Sequence, residues 1–390
     1  MIVVILVVQI PFIYRRYKTG ERAAQIRQIQ SQRLVNTDQN FSEYIGVIHV
    51  HTSLGGHSTG GFDELISAAN ANGLDFVLMT EHSSDDYDTA ALTLNGNYGK
   101  TLFIGGNEVE TAVGDRFLTL PGSADSMGTH KVPTAAFIDK LHSAGQIALV
   151  TYPEKLKTRD AKFDGIEVFS LNTAARKINP LIAPLDLLWS GSAYPDLTFL
   201  QMLSRPDENL KQYDGLAKTR PISMFIGIDA HSNIGFHILG DDAGHKWINF
   251  KIDPYEYLFR IARLHIRLGP DEKLSRESVV EAIRKGHFFN GLDTLGDSTG
   301  FLYSTIGSPI TANEGDEVPF TSELKLSVRS PVQVRFVLFK DGSEFASGTG
   351  IEFEFKPDGP GEYRVEAYQD ALGSPFDRLP WVMTNPIYVR

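Results

Sequence analysis

Two pairs of potential metal ligands, each separated by one residue, define the chemistry open to this chain. His49 and His51 close the run GVIHVH, and Asp229 and His231 close ISMFIGIDAH. Alternate residues of an extended strand point the same way, so each pair would aim two donors at one point. His82 ends FVLMTEH and Glu108 lies near the end of LFIGGNEV, adding an imidazole and a carboxylate from two further strand ends. One strand-end histidine is most simply a hydrogen-bonded structural residue, whereas five or more such groups in register make a site. Mixed imidazole and carboxylate donors suit Zn, Mn or Fe rather than Ca or Mg, and a bridging carboxylate could hold two ions close enough to share a hydroxide. The chain contains no cysteine, which excludes thiolate metal sites, disulfides and cysteine nucleophiles.

These residues converge only if the intervening elements bring strand ends together. From Tyr44 to about Phe301 short apolar runs alternate with amphipathic ones, the organisation of an α/β chain built from βα units around a parallel sheet. QIALVTY and GIEVF supply further candidate strands. In parallel barrels the C-terminal strand ends form one rim, where the polar residues would meet. FDELISAANANG and PTAAFIDKLHSAG read as helices closed by glycine, and SVVEAIRKG carries Ser278 and Glu281 at capping-box spacing ahead of Gly286. From about Ser322 the runs ELKLSV, VQVRFVLF, IEFEFKP and GEYRVEAYQ alternate with the turns KDGS and PDGPGE, an antiparallel pattern expected to form a small immunoglobulin-like β-sandwich over 302–390.

At 390 residues, with 42% hydrophobic and 22% charged, the chain has the composition of a globular protein, which excludes disordered and multispanning classes. A net charge of −11 argues against an extended nucleic-acid surface. The first residues, MIVVILVVQIPFIY, precede RRYK and read over 1–18 as a hydrophobic anchor or signal, followed over 19–43 by a spacer helix. The expected location is membrane-anchored or exported, on the extracytoplasmic side.

The string HVHTSLGGHSTGGFDELISAANANGLDFVLMTEH, with GNEVET and GIDAHS after it, resembles the polymerase and histidinol phosphatase (PHP) superfamily over roughly Tyr44 to Asn233. The resemblance implies a distorted (β/α)7 TIM-like barrel over 44–301 and hydrolysis of a phosphoester on two or three divalent ions. It makes His49, His51, Glu108 and Asp229 ligands of one ion, with Glu108 the bridge, and His57, His82 and His231 ligands of another. The family's remaining site usually adds two histidines, and this chain departs at both places. GDRFLTL offers Asp115 or Arg116, and LVTYPE offers Tyr152. Either Asp115 and Tyr152 replace the imidazoles, or the third site is empty and Arg116 holds a phosphate oxygen; the preferred reading is a two-ion cluster. His231 or His57 could instead protonate the leaving group. Glu81 is expected to orient His82, and His130 reads as a surface histidine. His237 and His245 could line the substrate mouth. Lys155, Lys157 and Arg159 read by default as a solvated run, and His142 and His287 lie outside the site. The expected partner is a small phosphorylated substrate. A metal-binding or ligand-binding protein without turnover is the alternative.

Overall fold

Each apolar run read as a strand contains one in the computed structural model, which describes residues 2–34, 41–56, 58–175, 178–232, 235–240, 246–251, 253–307 and 311–390. The first part of the chain forms β1 (Ser42–Val50), β2 (Phe76–Met79), β3 (Glu81–His82), β4 (Gly96–Tyr98), β5 (Thr101–Ile104), β6 (Asn107–Glu110), β7 (Arg116–Leu120), β8 (Ile147–Thr151), β9 (Gly165–Ser170) and β10 (Ser223–Gly227). A hairpin of β11 (Gly235–Gly240) and β12 (Lys246–Lys251) follows, then β13 (Arg263–Leu268) and β14 (Phe288–Gly291). The C-terminal strands are β15 (Leu302–Ile306), β16 (Glu317–Val318), β17 (Lys325–Lys340), β18 (Ser343–Phe355), β19 (Gly361–Tyr368), β20 (Val382–Thr384) and β21 (Ile387–Val389).

β2, β5, β8 and β10 are mostly apolar because most of their residues are buried, on whichever face they point. Ile48, Leu78, Ile104, Leu118, Leu149 and Phe225 gather on one side with Leu264, Ile266 and Ile283. Their neighbours Val47, Val77, Phe103, Phe117, Val150 and Ile166 join the other core.

The sheets are mixed, not the parallel set that alternating βα units imply. β7 runs antiparallel to both β6 and β8, and β1 antiparallel to β13, while β1–β2, β3–β6, β8–β9 and β9–β10 are parallel. Only residues 111–115 connect β6 to β7, too few for the crossover a parallel neighbour needs. One sheet runs β10-β9-β8-β7-β6-β3, and the other contains β13-β1-β2-β5-β4. The two meet at an isolated parallel bridge between Val50 and Ala230, where the Ile228 and Ala230 N–H groups donate to the Ile48 and His49 carbonyls.

The C-terminal β-rich region continues the second sheet, because β14 pairs with β20 and β20 with β19. Hydrogen bonding thus joins its strands to the α/β part, whereas a self-contained sandwich would leave them separate. Phe301 spans the expected boundary, packing on Phe289, Phe336 and Trp381. The KDGS turn forms as read: Asp341 and Gly342 both have positive φ, 51° and 75°, which gives the β17–β18 hairpin the primed turn that matches strand twist.

The helices Phe62–Ala71 and Thr134–Ser143 fall where their apolar faces predict. The capping box of the helix Arg276–Lys285 is shifted from the expected pair: Ser275 is the N-cap, and its partner is Ser278. The N-terminal segments expected as an anchor and a separate spacer form one helix, α1 (Ile2–Ser31), and β1 already begins at Ser42. Among the described residues no helix is long and apolar enough to cross a membrane.

His265 on β13 ties β1 to the segment after β14. Its Nδ1 lies 2.7 Å from Glu43 Oε1 and its Nε2 3.2 Å from Asp293 Oδ2, with Ser298 Oγ at 3.0 Å and the ring stacked on Phe289. Burial disfavours the imidazolium, but Asp293 and Glu43 outweigh it and hold the pKa up to about 9, above the ordinary 6.5. A raised folded-state value means that this contribution to stability is complete below about pH 6.5 and is lost as pH rises through about 9. Denaturant titrations are expected to show stability declining across that window, with a shallower decline in His265→Gln. An unchanged slope in the variant would assign the decline to other groups.

Candidate metal centre

The local backbone at the centre is not plain strand. His49 sits at a register break in the β1–β2 pairing with φ 71°, and Asp229, beyond the end of β10, has φ 48°. Tyr152 and Ser232 are likewise left-handed, each with φ 49°. The two ligand pairs therefore converge through bulged or left-handed residues, not through the simple alternation their spacing suggests. Non-glycine residues held in this region cluster where function over-determines the backbone.

Six of the predicted ligands come together. Glu108 Oε2 lies 3.4 Å from His49 Nε2, from His51 Nε2 and from His82 Nδ1. Asp229 Oδ1 lies 3.5 Å from His49 Nε2, 3.4 Å from His51 Nε2 and 3.3 Å from His231 Nδ1. The His51 ring stacks on those of His82 and His231, each at 4.5 Å. Two triads, His49–His51–Glu108 and His51–His82–His231, bring their ligand atoms within 4.8 Å of one another. Both nitrogens of His51, Glu108 Oε1 and Asp229 Oδ1 are buried without a hydrogen-bond partner. Orphaned buried donors and acceptors are costly, and here the carboxylate oxygens and one nitrogen of His51 are lone-pair groups that a cation would use. The residues present fit one or more metal ions.

The electrostatics agree with a site made for positive charge. Burial pushes the Glu108 carboxyl up, but the His49 hydrogen bond and the nearby His49, His51 and His82 outweigh it and hold the value down to about 2. Asp229 is also held well below the usual carboxylate range, its burial outweighed by His49, His51 and His231. Burial and His51 lower the His231 pKa, favouring its neutral form, and its Nδ1 lies 2.9 Å from the Asp229 carbonyl. With Nδ1–H donating there, Nε2 keeps a free lone pair.

Glu167 escaped the sequence reading. Its Oε1 lies 2.7 Å from His49 Nδ1, fixing the ring so that Nε2 faces Glu108 and Asp229. Burial raises its pKa to about 7 despite His49. Gly227 makes room for the pair: a Cβ there would come within 1.7 Å of Glu167 Oε1. The available signal was a charged residue inside the apolar run GIEVF. Carboxylates that orient ligating histidines contribute 10–100-fold to metal affinity. Glu167→Gln is accordingly expected to weaken metal binding by about 10–100-fold in a competition titration, and unchanged affinity would reduce Glu167 to a packing role.

The other predicted residues separate. Tyr152 donates to Asp229 Oδ2 at 3.2 Å and so reaches the cluster through that ligand; burial and the carboxylates Asp229, Glu108 and Glu167 hold its hydroxyl strongly protonated. Asp115 is engaged elsewhere, accepting from the Lys157 backbone at 2.7 Å, the Thr158 backbone at 3.3 Å and the Thr134 hydroxyl at 2.9 Å. These bonds tie a loop and occupy both carboxylate oxygens. Arg116 lies over the Tyr152 ring and donates to Glu110 at 2.9 Å. Lys155 also lies over that ring, while Lys157 donates to the Val113 carbonyl and Arg159 is exposed. Glu81 was expected to orient His82. Instead it accepts from the Thr52 backbone and from the hydroxyls of Thr52 and Thr93, which fixes the loop after His51.

His130 is a surface residue 3.5 Å from Asp85. His142 pairs with Asp164 and His287 with Asp316, outside the cluster. His57, His245 and the side chain of His237 lie outside the described residues. A cavity of about 350 Å³ opens beside the centre, with Tyr152, Glu167, Phe169, Arg205 and Asn209 in its wall.

Fold and site together define a mixed α/β protein with a buried His/Glu/Asp cluster able to hold metal. No family model matches the chain, and no curated protein matches it. Among solved structures, the crystal structure of PsfC from Pseudomonas syringae PB-5123 is similar at a TM-score of 0.38 and 12% identity, covering 61% of this chain and 88% of PsfC. A likeness that distant assigns neither family nor activity.

Proposed function

We propose that this protein is a metal-dependent phosphoester hydrolase of the PHP type. The observation that carries the reading is the single oxygen Glu108 Oε2, which lies 3.4 Å from nitrogens of three histidines. His49, His51, Glu108 and Asp229 would hold one ion, His82 and His231, joined by His57 on the sequence motif, would hold a second, and Glu108 would bridge. Bound divalent ions supply Lewis-acid charge at phosphoryl oxygens and acidify a coordinated water. The core side chains of β1, β2, β5, β7, β8 and β10 that share one interior cluster support a barrel-like arrangement under the site.

The chain's own residues do the rest. Glu167 keeps a proton on His49 Nδ1 and so keeps Nε2 available. Arg116, steadied by Glu110 and the Tyr152 ring, would hold a substrate phosphoryl oxygen at the rim. A His231 not fully engaged by metal would carry a proton to the leaving oxygen. Tyr152, which replaces an expected histidine, keeps its own proton and donates it in a hydrogen bond to Asp229, and Asp115 is committed to its loop; both support two ions rather than three.

The test is metal content by plasma mass spectrometry on the full chain purified without chelator, beside His49→Ala/His231→Ala, followed by a phosphate-release screen on mono- and diesters. About two ions per chain, lost in the variant, together with phosphate release are expected. Absence of stoichiometric metal after adding Mn, Fe or Zn would overturn the reading. Metal without turnover would favour a binding protein.

A further inference from the structure

The N-terminal half of α1 leaves an apolar stripe in solvent. Val7, Ile10, Tyr14 and Tyr17 recur at helical spacing and are each more than half exposed, between 56% and 61%. The opposite side is docked: Phe12 is buried, Gln9 accepts from the Trp189 indole at 2.6 Å, and Arg15 pairs with Asp186 at 2.8 Å. These contacts hold α1 against the segment 178–191, which exposes two further large apolar side chains, Leu181 at 81% and Leu188 at 71%. Tyr14 and Ile182 line the same cavity of about 430 Å³, whose polar wall holds the cations Arg15, Lys18 and Arg22 against the single carboxylate Asp186, with Arg15 paired to Asp186 and Lys18 to Glu21 outside the wall. An apolar stripe beside a second exposed apolar segment and a basic cavity is an interaction surface rather than scattered exposure.

Charge selects the occupant. Residues 1–34 hold six cations and one anion in a chain whose net charge is −11. A second copy seated symmetrically on this face would bring like charges together, whereas an anionic bilayer offers both the apolar depth and the opposite charge. We infer that α1 and the 178–191 segment form one surface that docks on anionic lipid, with Leu181 and Leu188 entering the interface beside α1 and the Arg15–Lys18–Arg22 cavity taking a lipid headgroup phosphate. In this reading the helix lies along the membrane surface. The surface is independent of the metal centre, so this inference stands or falls apart from the hydrolase reading.

The experiment is vesicle co-sedimentation of the full chain with phosphatidylcholine vesicles and with vesicles one-third phosphatidylglycerol, at low and high salt, for the native chain, Leu181→Glu/Leu188→Glu and Ile10→Glu/Tyr14→Glu. Both variants change exposed residues, and matching thermal midpoints would check their folds. Expected are binding to the anionic vesicles at least about tenfold tighter than to neutral ones, weakening with salt, and a loss of at least about tenfold in each variant. Native-like binding by Leu181→Glu/Leu188→Glu would overturn the inference in favour of α1 alone. Equal binding to both lipids would overturn the anionic site. Absence of vesicle binding, with self-association that the leucine variant abolishes, would assign the face to a second copy.

Discussion

On the proposed hydrolase reading, Glu108→Gln is expected to remove bound metal and to lower kcat/KM for phosphate release by at least about a thousandfold. The side chain presents one oxygen to His49, His51 and His82 at 3.4 Å each, so it faces rings from both ligand groups, which share His51. Glutamine keeps the size but removes the negative charge and turns an amide donor or a weaker acceptor towards the three rings. Losing several kcal/mol of transition-state charge stabilisation corresponds to about three powers of ten in rate. Metal analysis and phosphate release should fall together, and the surface variant Glu317→Gln should change neither. A Glu108→Gln protein that kept both metal and turnover would remove Glu108 from the centre and the bridge from the mechanism.

The second large effect concerns stability. Arg364 is buried on β19 and makes a bidentate pair with Asp214, Nε at 2.7 Å and Nη2 at 3.0 Å, while Nη1 donates to Glu366 at 2.6 Å and the guanidinium stacks over Phe339. Its removal would leave the Asp214 and Glu366 carboxylates buried with less compensation, which in such networks costs about 3–5 kcal/mol. Urea unfolding of Arg364→Ala should show a loss of that size. The exposed Arg335–Asp370 pair, at a similar 2.8 Å, should cost less than about 1 kcal/mol when Arg335 is replaced, because solvent screens it. A loss at Arg364 no larger than at Arg335 would contradict the network's role.

That network also bears on the centre. Asp214 lies on the helix Asp207–Ala217, and Arg205, just before it, pairs with the same Glu366. Residues 202–209 share a cavity wall with Tyr152 and Glu167. The C-terminal strands thus brace one side of the space a substrate would enter, and Arg364→Ala is expected to weaken metal binding as well as folding.

Much of the centre was legible in the chain because ligand chemistry is written in residue type. His49, His51, His82, Glu108, Asp229 and His231 stand at the ends of apolar runs, and a histidine or carboxylate there has few structural reasons to recur. The strands, most helices and the Asp341–Gly342 turn were legible for a similar reason: periodicity and turn residues act over a few positions. What the tertiary structure decided was relational. Glu167 became the partner of His49 only because β9 lies beside β10 and Gly227 leaves the gap. Asp115, a plausible ligand by type, was claimed by backbone donors of a loop some forty residues away in sequence. β7 turned antiparallel because of the length of one connection, and β20 joined the C-terminal strands to the first part of the chain. Side-chain chemistry and local period belong to the sequence itself. Which buried donor finds which acceptor depends on strand order and register, which arise only when distant segments pack together.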